Sequence, residues 1–212
     1  MTTFADNFDR ANVDPIGSPN WVTVTGEGDL QITGQHVSPS NLATDSAARL
    51  FGFTFGADQE ASAVLNVTGT AGGGSGAGVA VRCAGAARTF YRFIADHATN
   101  NNCQLSRKDA GVSTDLATFT QAWTDGSRWR LRVIGTGANT VLTIWLNDVL
   151  IRTVTDPASA ISSGAPGIAY SSTETAAVIE DFIATDVLAD RYFLYWNRSK
   201  ARRGRRFTTL VK

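Results

Sequence analysis

Between Arg128 and Thr155 the chain reads RWRLRVIGTGANTVLTIWLNDVLIRTVT, three runs of strand-forming residues separated by turn residues. The pattern predicts strands over 128–134, 140–146 and 149–154. In the first, Trp129, Leu131 and Val133 alternate with Arg128, Arg130 and Arg132; a period of two puts apolar side chains on one face and cations on the other. In the second, Leu142, Ile144 and Leu146 face a core while Val141, Thr143 and Trp145 face out. Asn147 and Asp148 tolerate the left-handed backbone that a two-residue hairpin turn demands, and Gly135 to Asn139 makes the other connection. A sheet with one apolar face must bury it against a second layer. This stretch is half of a β-sandwich.

Further strands are expected at 4–8, 21–25, 29–33, 47–53, 60–68, 78–83, 89–95, 102–108, 112–119, 167–171 and 178–185. Segments 21–25 and 29–33 read as a hairpin around Gly26-Glu27-Gly28, and 34–46 as a polar connection. Strands at short, regular intervals with Gly, Pro, Asn and Ser between them, and no convincing helix, describe an all-β, two-sheet antiparallel sandwich or jelly roll. A length of 212 residues suits one such domain. The glycine run from Thr70 to Gly78 lacks the Gly-Lys-Ser/Thr ending and the following helix of a phosphate loop, so a nucleotide is not expected there.

The formal net charge of zero conceals a division. Residues 187–212 hold eight Lys or Arg against Asp190 alone, which leaves eleven basic and eighteen acidic residues in 1–186. An acidic body of net −7 thus precedes a basic segment of net +7. That segment also carries Tyr192, Phe193, Tyr195 and Trp196 ahead of Arg202, Arg203, Arg205 and Arg206. Aromatic anchors beside arginines suit a docking arm that pairs with carboxylates on its own body or on a partner. Cys83 and Cys103 fall on strands that flank a middle one. They should lie roughly 9–10 Å apart, too far for a disulfide, and are expected to be reduced. The first ten residues, MTTFADNFDR, show no secretion signal, and no apolar run is long enough to span a bilayer.

DNFDRAN, PNWVTVTGEGDLQI, GVAVRC, YRFIAD, RWRLRVIGTG, LTIWLNDVLIRTV, GAPGIAY and VIEDFIATD, in this order over about residues 4–186, resemble laminin-G-like domains. These belong to the concanavalin A-like lectin/glucanase superfamily and recur in bacterial surface and tailed-phage virion proteins. The resemblance implies two antiparallel sheets, one of them concave. It carries fold further than function, and nothing in it corresponds to 187–212.

Glucanases of that superfamily place closely spaced acids on one strand, and retaining hydrolysis needs two carboxyls about 5 Å apart. Glu27 with Asp29 sits around a turn, and Glu180 with Asp181 points to opposite faces, so no catalytic pair is expected. His36 and His97 stand apart from each other, without a triad or a metal cluster around them. The resemblance implies a possible Ca²⁺ between the first and last strands, for which Asp6, Asp9 and Asp181 are the candidate ligands. Their alternative role is to cap loops or pair with Arg10. Trp145 with Arg130 and Arg132, joined by Arg92 and Arg82 from the meander, is the candidate glycan platform. The competing reading stacks the arginines over the tryptophan. Trp21, Trp123 and Trp129 are expected in the core or at its rim.

These features lead to a sandwich over 1–186 with a C-terminal extended arm over 187–212. The function expected is that of a non-enzymatic structural virion protein, a capsid decoration or tail component assembled in a host cytoplasm. It would be a homo-oligomer docked by its arm on other virion proteins such as the major capsid protein. Nucleic acid and membrane are not among the expected partners. The alternative is a carbohydrate-binding module for host or cell-surface glycans, and a glycoside hydrolase is the reading its acids do not support.

Overall fold

The computed structural model describes residues 1–17, 19–68, 76–85, 88–96, 101–158, 161–172 and 176–187. Within them the strands are β1 (Thr3–Asp6), β2 (Trp21–Thr23), β3 (Leu30–Thr33), β4 (His36–Pro39), β5 (Ser46–Leu50), β6 (Gln59–Val67), β7 (Ala77–Cys83) and β8 (Phe90–Ala95). They continue as β9 (Asn102–Asp109), β10 (Val112–Thr120), β11 (Ser127–Ile134), β12 (Thr140–Leu146), β13 (Val149–Asp156), β14 (Ala165–Tyr170) and β15 (Ala177–Asp186). One sheet has eight strands in the order β13-β12-β11-β6-β15-β4-β3, with β1 also on β15; the other has seven, β10-β9-β8-β7-β14-β5-β2. All the ladders are antiparallel. The fold is a two-sheet jelly roll, as the alternation predicts.

Strand β11 shows why. Trp129, Leu131 and Val133 are wholly buried, while Arg128, Arg130 and Arg132 on the opposite face are partly exposed. Trp129 meets Phe93 of the other sheet with ring centroids 4.9 Å apart, so the two inner faces interdigitate in one core. Asn147 and Asp148 both have positive φ, at 48° and 65°, which matches the strand twist and closes the β12–β13 hairpin. Cys83 and Cys103, on strands separated by β8, are free and buried. Trp21, Trp123 and Trp129 are all buried.

Two expectations fail in the N-terminal third. Segments 21–25 and 29–33 are not a hairpin: β2 pairs with β5 in the seven-stranded sheet, and β3 with β4 in the eight-stranded one. The Gly26-Glu27-Gly28 turn therefore crosses between layers. The polar connection 34–46 contains β4, which turns back on β3 through Gly34 and Gln35, both at positive φ. His36-Val37-Ser38-Pro39 carries little strand propensity, and its place is set by Val37, which pairs with Ile179 of β15 and enters the core.

Among the polar links that join the layers, two run through arginines. A bulge at the end of β7 puts Arg82 at φ 53° and turns it off the sheet face. The wholly buried guanidinium donates to the carbonyl oxygens of Ala57 and Ile161, both at 2.8 Å, and of Gly135. Arg107 of β9 reaches Asp156 of β13, whose carboxylate also accepts the Tyr91 hydroxyl at 2.9 Å. Arg82 thus fastens loops together and does not belong to a surface site.

Candidate functional site

Trp145 does face outward, opposite Arg130 of β11. Its ring, however, is roofed by the guanidinium carbons of Arg130 at 4.6 Å and Arg132 at 4.9 Å from its centroid. Glu60 on β6 holds the roof in place, accepting from Arg132 Nε at 2.6 Å and lying 3.6 Å from Arg130. Asp148 pairs with Arg130 from the hairpin tip at 3.2 Å. Only 9 % of Trp145 is exposed, which leaves little ring for a sugar to stack on. Arg92 does not join this group. It sits on β8, in the other sheet, and points away from that sheet's core.

Around Arg92 a different cluster forms. On the outer face of the seven-stranded sheet, Ser106, Arg92, Ala80, Gly167 and Arg49 stand in one row across β9, β8, β7, β14 and β5. Gln104, Ile94, Gly78, Ala169 and Ala47 form the next. Small residues thus run down the middle of the face. Gly78 and Gly167 are required there, because a Cβ would collide with the carbonyl oxygens of Phe93 and Ala48 on the neighbouring strands. The strip is flanked by long polar side chains.

Charges meet at one end of it. Asp45, just before β5, accepts on Oδ2 from Arg92 Nη1 at 2.7 Å and from Lys108 Nζ at 2.9 Å, and on Oδ1 from the amide of Ser172 at 2.8 Å. Lys108 Nζ also donates to Glu27 Oε1 at 2.8 Å, and Arg88 Nε lies 3.3 Å from that oxygen. Glu27 rides on the crossing turn between β2 and β3, whose Val24 packs with Ala47, Ala80, Phe90, Ile94 and Ala169 on this outer face. Burial alone would raise the Asp45 pKa. The Arg92 charge, the Lys108 hydrogen bond and the Ser172 amide outweigh it and hold the carboxyl at about 2. Of Asp45, Arg92, Lys108 and Glu27, Asp45 is the most open, with 24 % of its side chain exposed. The arrangement presents a fixed hydrogen-bond acceptor, ionised at neutral pH, beside two fixed donors. Of this set only Arg92 was legible as a site residue; Asp45, Glu27 and Lys108 come from segments remote in sequence.

The candidate calcium ligands are not brought together. Asp6 accepts from the Phe8 amide at 2.8 Å, Arg10 at 2.7 Å and the Trp21 indole at 2.8 Å. N–H donors thus occupy the lone pairs a cation would use. Asp9 accepts from Gln35 at 2.6 Å, and Asp181 lies on a β15 bulge 3.8 Å from Arg128. No group of three or more His, Cys, Asp and Glu suited to a metal occurs among the described residues. His97, residues 69–75 of the glycine run and the docking residues Tyr192, Phe193, Tyr195, Trp196, Arg202, Arg203, Arg205 and Arg206 lie outside the described residues.

No protein-family model matches the chain, and neither does any curated protein sequence. Solved structures do resemble it. The carbohydrate-binding module CBM66 from Bacillus subtilis superposes with a TM-score of 0.57 at 18 % identity, over 79 % of this chain and 92 % of that one. The exoplasmic/lumenal domain of VIP36, in its Ca²⁺/Man3GlcNAc-bound form, gives 0.57 at 13 % identity, over 89 % and 94 %. A β-1,3-1,4-glucanase (lichenase) derived from a mouse hindgut metagenome gives 0.57 at 8 % identity, over 89 % and 100 %. At such identities the likeness defines the fold: the sandwich is a concanavalin A-like jelly roll. That fold serves carbohydrate-binding modules, lectins and glucanases alike, and the difference lies in the site.

Proposed function

We propose that the chain is a non-catalytic carbohydrate-binding domain whose glycan site is the outer face of the seven-stranded sheet around Asp45, Arg92 and Lys108. The observation that carries this reading is Asp45 itself: an ionised carboxylate, fixed by three donors, with 24 % of its side chain open to solvent at the edge of the face. Sugar hydroxyls are both donors and acceptors, so a rigid acceptor set between rigid donors suits them. The likeness to a carbohydrate-binding module and to a glycan-bound lectin domain supports the same reading.

The chemistry of the acids supports binding over hydrolysis. A glycosidase needs one carboxyl kept protonated to serve as general acid. Asp45 is pushed the opposite way, and Glu27 is pinned between Lys108 and Arg88. The test is a glycan array, followed by calorimetric titration of the best ligand against the native chain, Asp45→Asn and Arg92→Ala. Binding that disappears in both variants is expected. A blank array would remove the proposal, and reducing sugar released by the native chain would remove its non-catalytic part.

A further inference from the structure

Phe51 and Phe53 are 56 % and 37 % exposed and stand two residues apart, with Gly52 between them at positive φ. Phe53 backs onto Phe4 of β1, with ring centroids 5.0 Å apart, and Phe4 meets the buried Trp21 at 6.0 Å. Single exposed apolar residues are ordinary on a protein surface, whereas aromatic side chains grouped together mark a contact surface. The C-terminal end of β15 is fixed beside them. The Asp186 amide donates to the Thr2 carbonyl at 2.9 Å, and its carboxylate accepts from the amides of Thr2 at 2.8 Å and Gly56 at 2.7 Å. The Thr2 hydroxyl donates to the Thr54 carbonyl at 2.8 Å, and the Val187 amide to the Asp58 carbonyl at 2.9 Å. A groove of about 320 Å³, lined by Met1, Gly56, Ala57, Asp58, Asp186 and Val187, opens at this point.

The sequence beyond Val187 suits this surface. Residues 188–196 read LADRYFLYW, an apolar run with four aromatics in which Asp190 and Arg191 cancel. Uncompensated positive charge begins only at Arg198. Phe53 precedes Asp58 by five residues, which an extended chain spans in about 17 Å. Phe193 follows Val187 by six residues, a reach of about 20 Å. A tether this short gives the aromatic run a local concentration in the millimolar range at Phe53, which a free partner would have to match. We propose that residues 188–196 cover the Phe51–Phe53 surface of their own domain. The arm is then an intramolecular strap. Its aromatic half lies against the two exposed phenylalanines, and its basic half is left to pair with the acidic body of net −7. The inference stands apart from the carbohydrate-binding reading.

The experiment is limited trypsin digestion of the full chain over a range of protein concentrations, with sedimentation velocity on the same samples. Proteolysis follows the population of the uncovered segment. The native chain should sediment as a monomer and be cut after Arg191 on the order of tenfold more slowly than Phe51→Ser/Phe53→Ser, at every concentration. Both substituted side chains are exposed, so that variant should keep a cooperative urea transition. A second variant, Phe193→Ser/Trp196→Ser, leaves the sandwich sequence intact. It should bind several-fold more of a dye that fluoresces on apolar surface, and adding Phe51→Ser/Phe53→Ser should remove the gain. Equal cleavage of the native chain and Phe51→Ser/Phe53→Ser overturns the proposal, and so does a dye signal that does not rise. Protection that disappears on dilution, with a dimer in the sedimentation profile, assigns the surface to a second copy and overturns it as well. If Phe51→Ser/Phe53→Ser does not fold, the dye signal of the arm variant decides alone. A blank glycan array would leave this result standing.

Discussion

Arg107 on one sheet donates through Nη1 to both carboxylate oxygens of Asp156 on the other, at 2.7 and 2.8 Å. Asp156 is 1 % exposed and also takes the Tyr91 hydroxyl and the Ala158 amide. The pair is a cross-layer link placed where the apolar core ends. Asp156→Ala would leave the partly buried Arg107 guanidinium and the Tyr91 hydroxyl without their acceptor, a loss at the lower end of the about 3–5 kcal/mol seen for broken buried pairs. Urea unfolding should show a fall of that size, and a fall below about 1 kcal/mol would mean the link is dispensable.

Asp45 couples stability to acid. Its carboxyl sits at about 2 in the folded chain, against about 3.9 when unfolded. A depressed folded pKa stabilises the fold above the unfolded value, and that contribution is lost as pH falls through the folded one. The window is therefore from about pH 4 down to about pH 2. Native protein should lose on the order of 2 kcal/mol more than Asp45→Asn across it. Equal losses in the two proteins would show that the ion cluster does not act as described.

Trp145→Ala should leave glycan binding unchanged while costing roughly 3 kcal/mol of stability, the low end for removing a buried Trp. The reason is the guanidinium roof, which makes the ring part of the packing and not part of the open surface. Titration and urea unfolding on one preparation separate the two effects. Loss of binding with stability retained would move the site to the eight-stranded sheet.

Burial pushes both thiols, Cys83 and Cys103, up to about 12. Only the thiolate reacts, so a thiol reagent at neutral pH should label neither cysteine in the folded chain and both in denaturant. Labelling of the native protein at a rate independent of denaturant would contradict the burial of these strands.

The period-two pattern of β11 was enough to orient that strand, because an alternating strand has only one way to hide its apolar face. Asn147-Asp148 was enough to turn the next hairpin. Neither told which sheet a short strand joins. Trp21–Thr23 and Leu30–Thr33 look like two arms of one hairpin, yet they part into different layers. Local turn chemistry cannot register the crossing, which depends on Val24 and Glu27 finding partners on β5, β8 and β9.

The candidate site divides in the same way. Alternation placed Trp145 and Arg130 on one outward face, and the cysteines on strands too far apart to bond. The composition of the strands thereby determined an all-β sandwich with one core. Tertiary structure decided what those outward side chains do. It stacked Arg130 and Arg132 over Trp145, moved Arg92 to the opposite layer, and gathered Glu27, Asp45 and Lys108 from loops and strands up to 81 residues apart. A strand's own period reports which side faces water. Which charges meet there depends on the order of strands in the sheet, and that order is a property of the packed whole.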